Sequence, residues 1–353
     1  MPVFPPDPDR GTPTLSGEWP EGLVHWPAKR LRLRTLGHDC VAAQNPESLE
    51  VMQLDGTGWR CIAQVPFLHH RGWGTLGIDW TTGDLDGDGN DEIVACQDSL
   101  ITCYQWAGGG LQTHKTLVPF LVDQVQIGDV NNDGRNELVL FCEDSTGQTD
   151  FYPYYLRVAS WAGSRLVWLW DDSMKLGYSV CNMPDYLVCI ADLTNKRHNQ
   201  VLVSESQSDV SPTTFHLLTW NRKVGGLELA KSFAVHERLV PVDRQDTMPG
   251  PWESGPLHPF VVNDTTWFLG WYPQYMDDGP YERGFRFLRF EDESLAASLP
   301  RFRNLPEAGS LFLDPDGKGI GLLLLREPIV AVNAIRGQPP DVLKGSRFRF
   351  FRL

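Results

Sequence analysis

The sequence predicts an all-β chain folded as a single propeller of four-stranded blades, and three observations carry that expectation. An acidic, glycine-containing phrase recurs: GDLDGDGNDEIVAC from Gly83 and GDVNNDGRNELVLF from Gly128, 45 residues apart. A second phrase follows each copy, a strand ending in an aromatic and then glycine and leucine. TCYQWAGGGL, RVASWAGSRL and HLLTWNRKVGGL put Trp106, Trp161 and Trp220 in the same slot. Finally, 33 glycines and 26 prolines are scattered through 353 residues, which cuts the chain into many short strands instead of long helices. A period of roughly 40–50 residues suits one four-stranded blade.

Aligning the two phrases yields six units, at about 31–68, 74–118, 119–174, 181–236, 257–299 and 310–353, preceded by an irregular segment, 1–30. VMQLDGTGW, ending at Trp59, and FRFLRFEDESL, around Phe290, fit as diverged copies of the aromatic phrase. The insertion 237–255 leaves room for a seventh blade, and the closing RFRFFRL reads as an outer strand. The tryptophans at 106, 161 and 220 recur by repeat position and are expected to pack between blades.

Composition narrows the function. Hydrophobic residues make up 41% and charged residues 22%, enough apolar material for a sizeable core. With 31 basic and 45 acidic residues the net charge is −14, a field that repels nucleic acid and suits a cation or a neutral partner. No apolar run approaches the ~20 residues of a membrane span, so no membrane insertion is expected. The first thirty residues lack the apolar core of a secretory leader, consistent with a cytoplasmic chain or one whose leader has been removed. Seven cysteines do not make a disulfide framework. Most sit in apolar runs as small core residues; Cys96 and Cys103 flank one hairpin and could pair.

The acidic phrase has the chemistry of a cation loop. Asp84, Asp86 and Asp88 stand at positions one, three and five, with Gly89 at six, Asn90 at seven and Glu92 at nine. Oxygens at alternating positions converge when the chain wraps tightly, glycine permits the turn, position seven offers a backbone carbonyl, and the last carboxylate closes the sphere. A hard cation such as Ca²⁺ takes six to eight such oxygens. Asp129, Asn131, Asp133, Gly134, Arg135 and Glu137 repeat the scheme, with Arg135 entering through its carbonyl. Unit four offers Asp192 and Thr194 but Lys196 and Gln200, and unit six has Lys318 where an acid belongs, so neither is expected to hold metal.

On these residues the chain resembles the FG-GAP/VCBS repeats of integrin α-chain propellers and many microbial surface proteins. That family usually has aspartate at position nine, where this chain has Glu92 and Glu137. The resemblance implies that the loop joins the first two strands of a blade and that calcium staples the hairpin without taking part in catalysis.

The opposite face is where a ligand is expected. Second strands end at Gln44, Gln97, Glu143, Glu205, Trp271 and Arg326, polar or aromatic groups that the alignment places in a ring around the axial opening. Long loops follow in units three to five, rich in tyrosine, proline and amides, the residues recognition surfaces use. Trp73 and Trp252 depart from the repeat pattern and join the candidate ligand residues, whereas His69 and His70, adjacent in an extended chain, are poor joint metal ligands. Two functions fit. The first is a monomeric binding module for a glycan or protein. The second is a carbohydrate-active enzyme, with Glu143 and Glu205 as a carboxylate pair or Arg326 holding an acidic sugar, or a cyclase that acts by shaping its ligand.

Overall fold

The computed structural model describes residues 15–18, 28–36, 38–44, 48–55, 58–67, 80–143, 154–171, 186–194, 198–205, 213–235, 257–262, 265–274, 282–291, 294–303, 308–313, 321–328 and 346–352; side chains are described between residues 31 and 233. Within these residues lie six four-stranded antiparallel sheets. Sheet one is Ala28–Leu33, His38–Gln44, Ser48–Asp55 and Gly58–Pro66. Sheet two is Trp80–Gly83, Glu92–Gln97, Leu100–Ala107 and Gly110–Leu117. Sheet three is Leu121–Gly128, Glu137–Glu143, Tyr154–Ala162 and Arg165–Trp170. Sheet four is Tyr186–Ala191, Gln200–Glu205, Thr213–Asn221 and Gly226–Val235. Sheet five is Leu257–Val262, Thr265–Gln274, Glu282–Glu291 and Ser294–Arg303. Sheet six takes Ala308–Leu313, Gly321–Pro328 and Ser346–Arg352 from the end of the chain.

The fourth strand of sheet six is Leu15–Glu18, which pairs antiparallel with Ser346–Arg352. Two expectations are corrected here. The segment 1–30 contributes this strand and the start of sheet one, and RFRFFRL is a third strand instead of an outer one. The physical reason is closure: pairing the first strand of the chain with the last covers the free edge of Ser346–Arg352 and ties the two ends of the ring into one sheet. First strands neighbour one another in a closed circuit, sheet one to two and onward to six and back to one. This is a propeller.

Its core lies between sheets, not at one centre. Along Glu137–Glu143, Leu138, Leu140 and Cys142 pack toward sheet two while Val139 and Phe141 pack toward sheet four. The Glu92–Gln97 strand does the same, with Ile93 and Ala95 toward sheet one and Val94 and Cys96 toward sheet three. A strand buried on both faces must be apolar at every position, which is why IVAC and LVLFC read as continuous runs and not as alternation. Each fully buried large side chain in these layers, Phe141 or Phe215 for example, contributes ~1.5–3 kcal/mol.

The recurrent aromatic sits opposite the recurrent leucine. Trp106 pairs across the hairpin with Leu111, Trp161 with Leu166 and Trp220 with Leu227. These three tryptophans pack on the layers between sheets one and two, two and three, and three and four respectively. In sheet one the pair is exchanged, Leu54 facing Trp59.

Register slips leave one extra residue in the outer strands of sheets one, three and four, at Ile62, Leu169 and Ala230. Such bulges twist a free edge away from any second strand. Cys96 and Cys103 are both thiols, and so are Cys40, Cys61 and Cys142. Cys96 faces Ile101 and Cys103 faces Val94, so the two sulfurs stand on a diagonal two residues apart in register. That diagonal is longer than the ~3.5–4.5 Å between Cβ atoms that a disulfide needs. Cys61 is exposed, unlike the core position expected of most cysteines here.

Candidate metal centres

Each acidic loop joins the first strand of its sheet to the second. In the loop after Trp80–Gly83, both Asp84 oxygens accept backbone N–H groups, from Gly87 at 2.8 Å and Gly89 at 3.0 Å. Asp86 accepts from Asp88 N–H at 3.0 Å, and Asp88 from Asn90 N–H at 2.7 Å. These side-chain-to-backbone turns wind the chain so that oxygens of Asp84, Asp86 and Asp88 lie within 4.8 Å of one another. The winding needs left-handed backbone at positions four and six, φ +82° at Gly87 and +89° at Gly89.

Glu92 is buried and closes the loop by accepting from Leu85 N–H at 2.7 Å and Asp86 N–H at 3.3 Å. Burial pushes its carboxyl up to about 8, the Asp86 and Asp88 charges add to the push, and the two N–H groups oppose it. Asp86 is also raised, by burial first and then by Asp88 and Asp84. The Asn90 amide donates to both Asp88 oxygens at 3.0 Å and accepts at 3.3 Å from the N–H of Thr35, in the turn between the first two strands of sheet one. Its side chain is thereby engaged elsewhere, which leaves its backbone carbonyl as what it can offer a cation.

The second loop repeats this winding. Asp129 accepts from Asp133 and Gly134 N–H at 3.0 and 2.9 Å, and Asp133 from Arg135 N–H at 2.9 Å. Asn132 and Gly134 take φ +58° and +90°. Glu137 accepts from Val130 N–H at 3.0 Å and Asn131 N–H at 3.4 Å; burial, then Asp133 and Asp129, pushes it up to about 7. The Asn131 amide nitrogen donates to Asp133 at 3.2 Å and Glu137 at 2.9 Å, leaving its oxygen buried without a donor. Turning that amide over would aim its oxygen at the two carboxylates, an arrangement that a cation between them satisfies. Three acids of the first loop are therefore gathered as a hard divalent ion needs, and the second loop offers the same kinds of oxygen donor.

The expected loop of unit four keeps the closing geometry without the charge. Gln200 accepts from Leu193 N–H at 2.7 Å and donates to Thr194 and to the His198 carbonyl. Two features escaped the sequence reading. One is position four, where Gly87 and Asn132 share positive φ; the glycine and asparagine there were the available signal. The other is position eight. Asp91 accepts from Arg32 N–H at 2.6 Å, Asn136 donates to the Asp84 carbonyl at 2.6 Å, and Asn199 donates to the Asp129 carbonyl at 2.9 Å. Each ties its loop to the preceding sheet.

On the other face, Gln44, Gln97, Glu143 and Glu205 are the last residues of the second strands of sheets one to four. Trp271 and Arg326 lie inside the second strands of sheets five and six, short of their ends. Of these six, only the Gln97 side chain is among those described, half-buried beside its turn. Trp73, Trp252, His69 and His70, together with the insertion 237–255, lie outside the described residues. In sheet two the turn after the second strand touches the connection to sheet three: Val118 and Val122 N–H donate to the carbonyls of Ser99 and Asp98, each at 2.9 Å. These two connection types share one face there.

Residues 84–140 match the family model described as an FG-GAP-like repeat. No curated protein matches the chain. Similar solved structures include a Dos1 propeller, at 6% identity and TM-score 0.43 over 89% of this chain and 75% of that one. Another is the endo-arabinase from Bacteroides thetaiotaomicron VPI-5482, at 9% identity and TM-score 0.46 over 78% and 93%. A third is the Chaetomium thermophilum Nup170 NTD–Nup53 complex, at 10% identity and TM-score 0.41 over 89% and 49%. The matched span 84–140 contains both acid-rich loops, and the closed circuit of first strands makes the chain a β-propeller with an FG-GAP-like repeat match over that span.

Proposed function

We propose that this protein is a binding module whose propeller is braced on one face by calcium and presents a glycan- or protein-recognition surface on the other. The observation that carries this reading is the crowding of Asp84, Asp86 and Asp88 within 4.8 Å, in a turn closed by buried Glu92 through the Leu85 and Asp86 N–H groups. One ion would be held by Asp84, Asp86, Asp88, the Asn90 carbonyl and Glu92. A second would be held by Asp129, Asn131, Asp133, the Arg135 carbonyl and Glu137. A bound calcium there supplies positive charge that offsets the gathered carboxylates. Every acid in the set is also tied to backbone N–H groups of its own turn, which suits a structural brace and leaves no carboxylate aimed at a substrate.

Recognition then falls to the ring of Gln44, Gln97, Glu143, Glu205, Trp271 and Arg326, together with Trp73 and Trp252. Apart from Gln97, support for this half is positional: four of these residues end equivalent strands of successive sheets. Glycan arrays and pull-downs with wild type, Trp271→Ala and Asp88→Asn test it. The reading expects a ligand lost in Trp271→Ala and kept in Asp88→Asn below its melting temperature. No ligand for any form would overturn it. A ligand that wild type cleaves and Glu143→Gln or Glu205→Gln does not would replace it with the hydrolase reading.

A further inference from the structure

The position-eight side chains have a direction. Asp91 of sheet two binds Arg32 of sheet one, Asn136 of sheet three binds Asp84 of sheet two, and Asn199 of sheet four binds Asp129 of sheet three. In the last two cases the acceptor is the carbonyl of the preceding loop's position-one aspartate, the same residue whose carboxylate opens that loop's oxygen cage. Asn136 itself lies between Arg135 and Glu137, both of which belong to the second loop's cage. One hydrogen bond of 2.6 Å therefore joins a ligand residue of one loop to the immediate neighbour of two ligand residues of the next.

Sheet four isolates what position eight is for. There the closing residue is Gln200 and the acids are depleted, yet Asn199 still reaches the Asp129 carbonyl and adds a second bond, its N–H to the Asn132 side chain at 2.8 Å. Arg222 reinforces the contact by donating to the Asn132 carbonyl at 2.8 Å. A position-eight amide that makes the same contact beside a loop short of acids serves the neighbouring loop. In sheet two the acceptor Asp91 replaces the donor asparagine because sheet one presents an N–H and a carbonyl of Arg32, and Asp91 answers both.

We propose that Asn136 is a positioning residue that couples the two cation loops, so that an ion in either loop fixes Asp84 and Asn136 in the arrangement the other loop needs. The inference rests on the calcium reading given above. Reciprocity is required, since each ion must raise the other's affinity by the same factor. An ordered loop on one side of the bond spares its neighbour part of the ordering entropy, and coupling factors of roughly 5-fold or more are typical of such linked sites.

The test is a calorimetric calcium titration of the full chain in wild type, Asp88→Asn, Asp133→Asn and Asn136→Ala, with each Asp→Asn change also made in the Asn136→Ala background. Asp133→Asn should weaken calcium at the first loop at least about 5-fold, and Asp88→Asn should weaken the second loop equally. In the Asn136→Ala background each loop should be indifferent to loss of the other. Two wild-type sites whose affinities ignore one another overturn the coupling and leave the calcium reading standing. No calcium binding in wild type overturns both. If Asn136→Ala does not fold, the two single aspartate variants decide the matter, because coupling is read from them with Asn136 in place.

Discussion

The loop at 84–92 and the loop of sheet four, described at 192–194 and 198–200, are closed by the same contact but differ in charge. Glu92 and Gln200 stand at the same position and accept from Leu85 and Leu193 N–H at the same 2.7 Å. Leu85 and Leu193 are equally buried beneath their turns. An amide therefore closes this turn as well as a carboxylate does, and the fold does not require the acids. Yet the sheet-two loop gathers three aspartates within 4.8 Å over a glutamate pushed up to about 8. Carboxylates so placed repel one another and lose hydration. A cation of the kind proposed above would offset both costs, and sheet four, with Asp192 but Lys196 and Gln200, keeps the closing contact with fewer acids.

The largest effect expected from this contrast is calcium-dependent stability. At free calcium about 100-fold above Kd, each occupied loop should add about 2.7 kcal/mol to unfolding. Thermal melts at one calcium concentration should show the gain in wild type, less than half of it in Asp88→Asn or Asp133→Asn because the remaining loop also binds more weakly, and none in the double variant. Next comes the shared acceptor. Glu92→Ala and Gln200→Ala each strand a buried N–H and should each cost ~1–3 kcal/mol in denaturant melts without calcium. If only Glu92→Ala hurts, the equivalence of the two turns is broken.

A subtler effect is the pH dependence of the metal-free chain. Glu92 and Glu137 have folded pKa values of about 8 and about 7, above the ~4.3 of an unfolded glutamate. Between those limits the folded state holds more protons than the unfolded one, so stability falls as pH rises. Metal-free melting temperature should decline from about pH 5 to about pH 8, and saturating calcium should remove the decline. Glu92→Gln, which copies sheet four, should make the metal-free curve shallower, leaving the share of Glu137, while keeping the Leu85 contact, and should abolish binding at the first loop. The smallest effect is expected far from either loop: Leu117→Lys, at an 81% exposed residue on the rim, should change stability by less than about 0.5 kcal/mol.

Much of this was legible in the sequence, and the reason differs from part to part. The repeat was visible because both ends of a blade carry local signatures: an acidic turn whose backbone demands glycine, and an aromatic facing a leucine across a hairpin. The tight turn that brings the acids at positions one, three and five together followed from the same local winding. What escaped was non-local. Nothing near Leu15 announces that LSGE will pair with RFRFFR more than 300 residues away, because closure is a property of the whole ring. The role of Asn136 was hidden for a similar reason: its partner, Asp84, lies 52 residues earlier, and an asparagine beside a turn reads as turn chemistry. Cys96 and Cys103 looked able to bond until register set them on a diagonal.

The most direct test of the central claim is the calcium stoichiometry of the full chain by equilibrium dialysis. Two ions per chain, falling to one in Asp88→Asn or Asp133→Asn and to none in the double variant, is the predicted result. No bound calcium in wild type, or the same amount in wild type and the double variant, would contradict it.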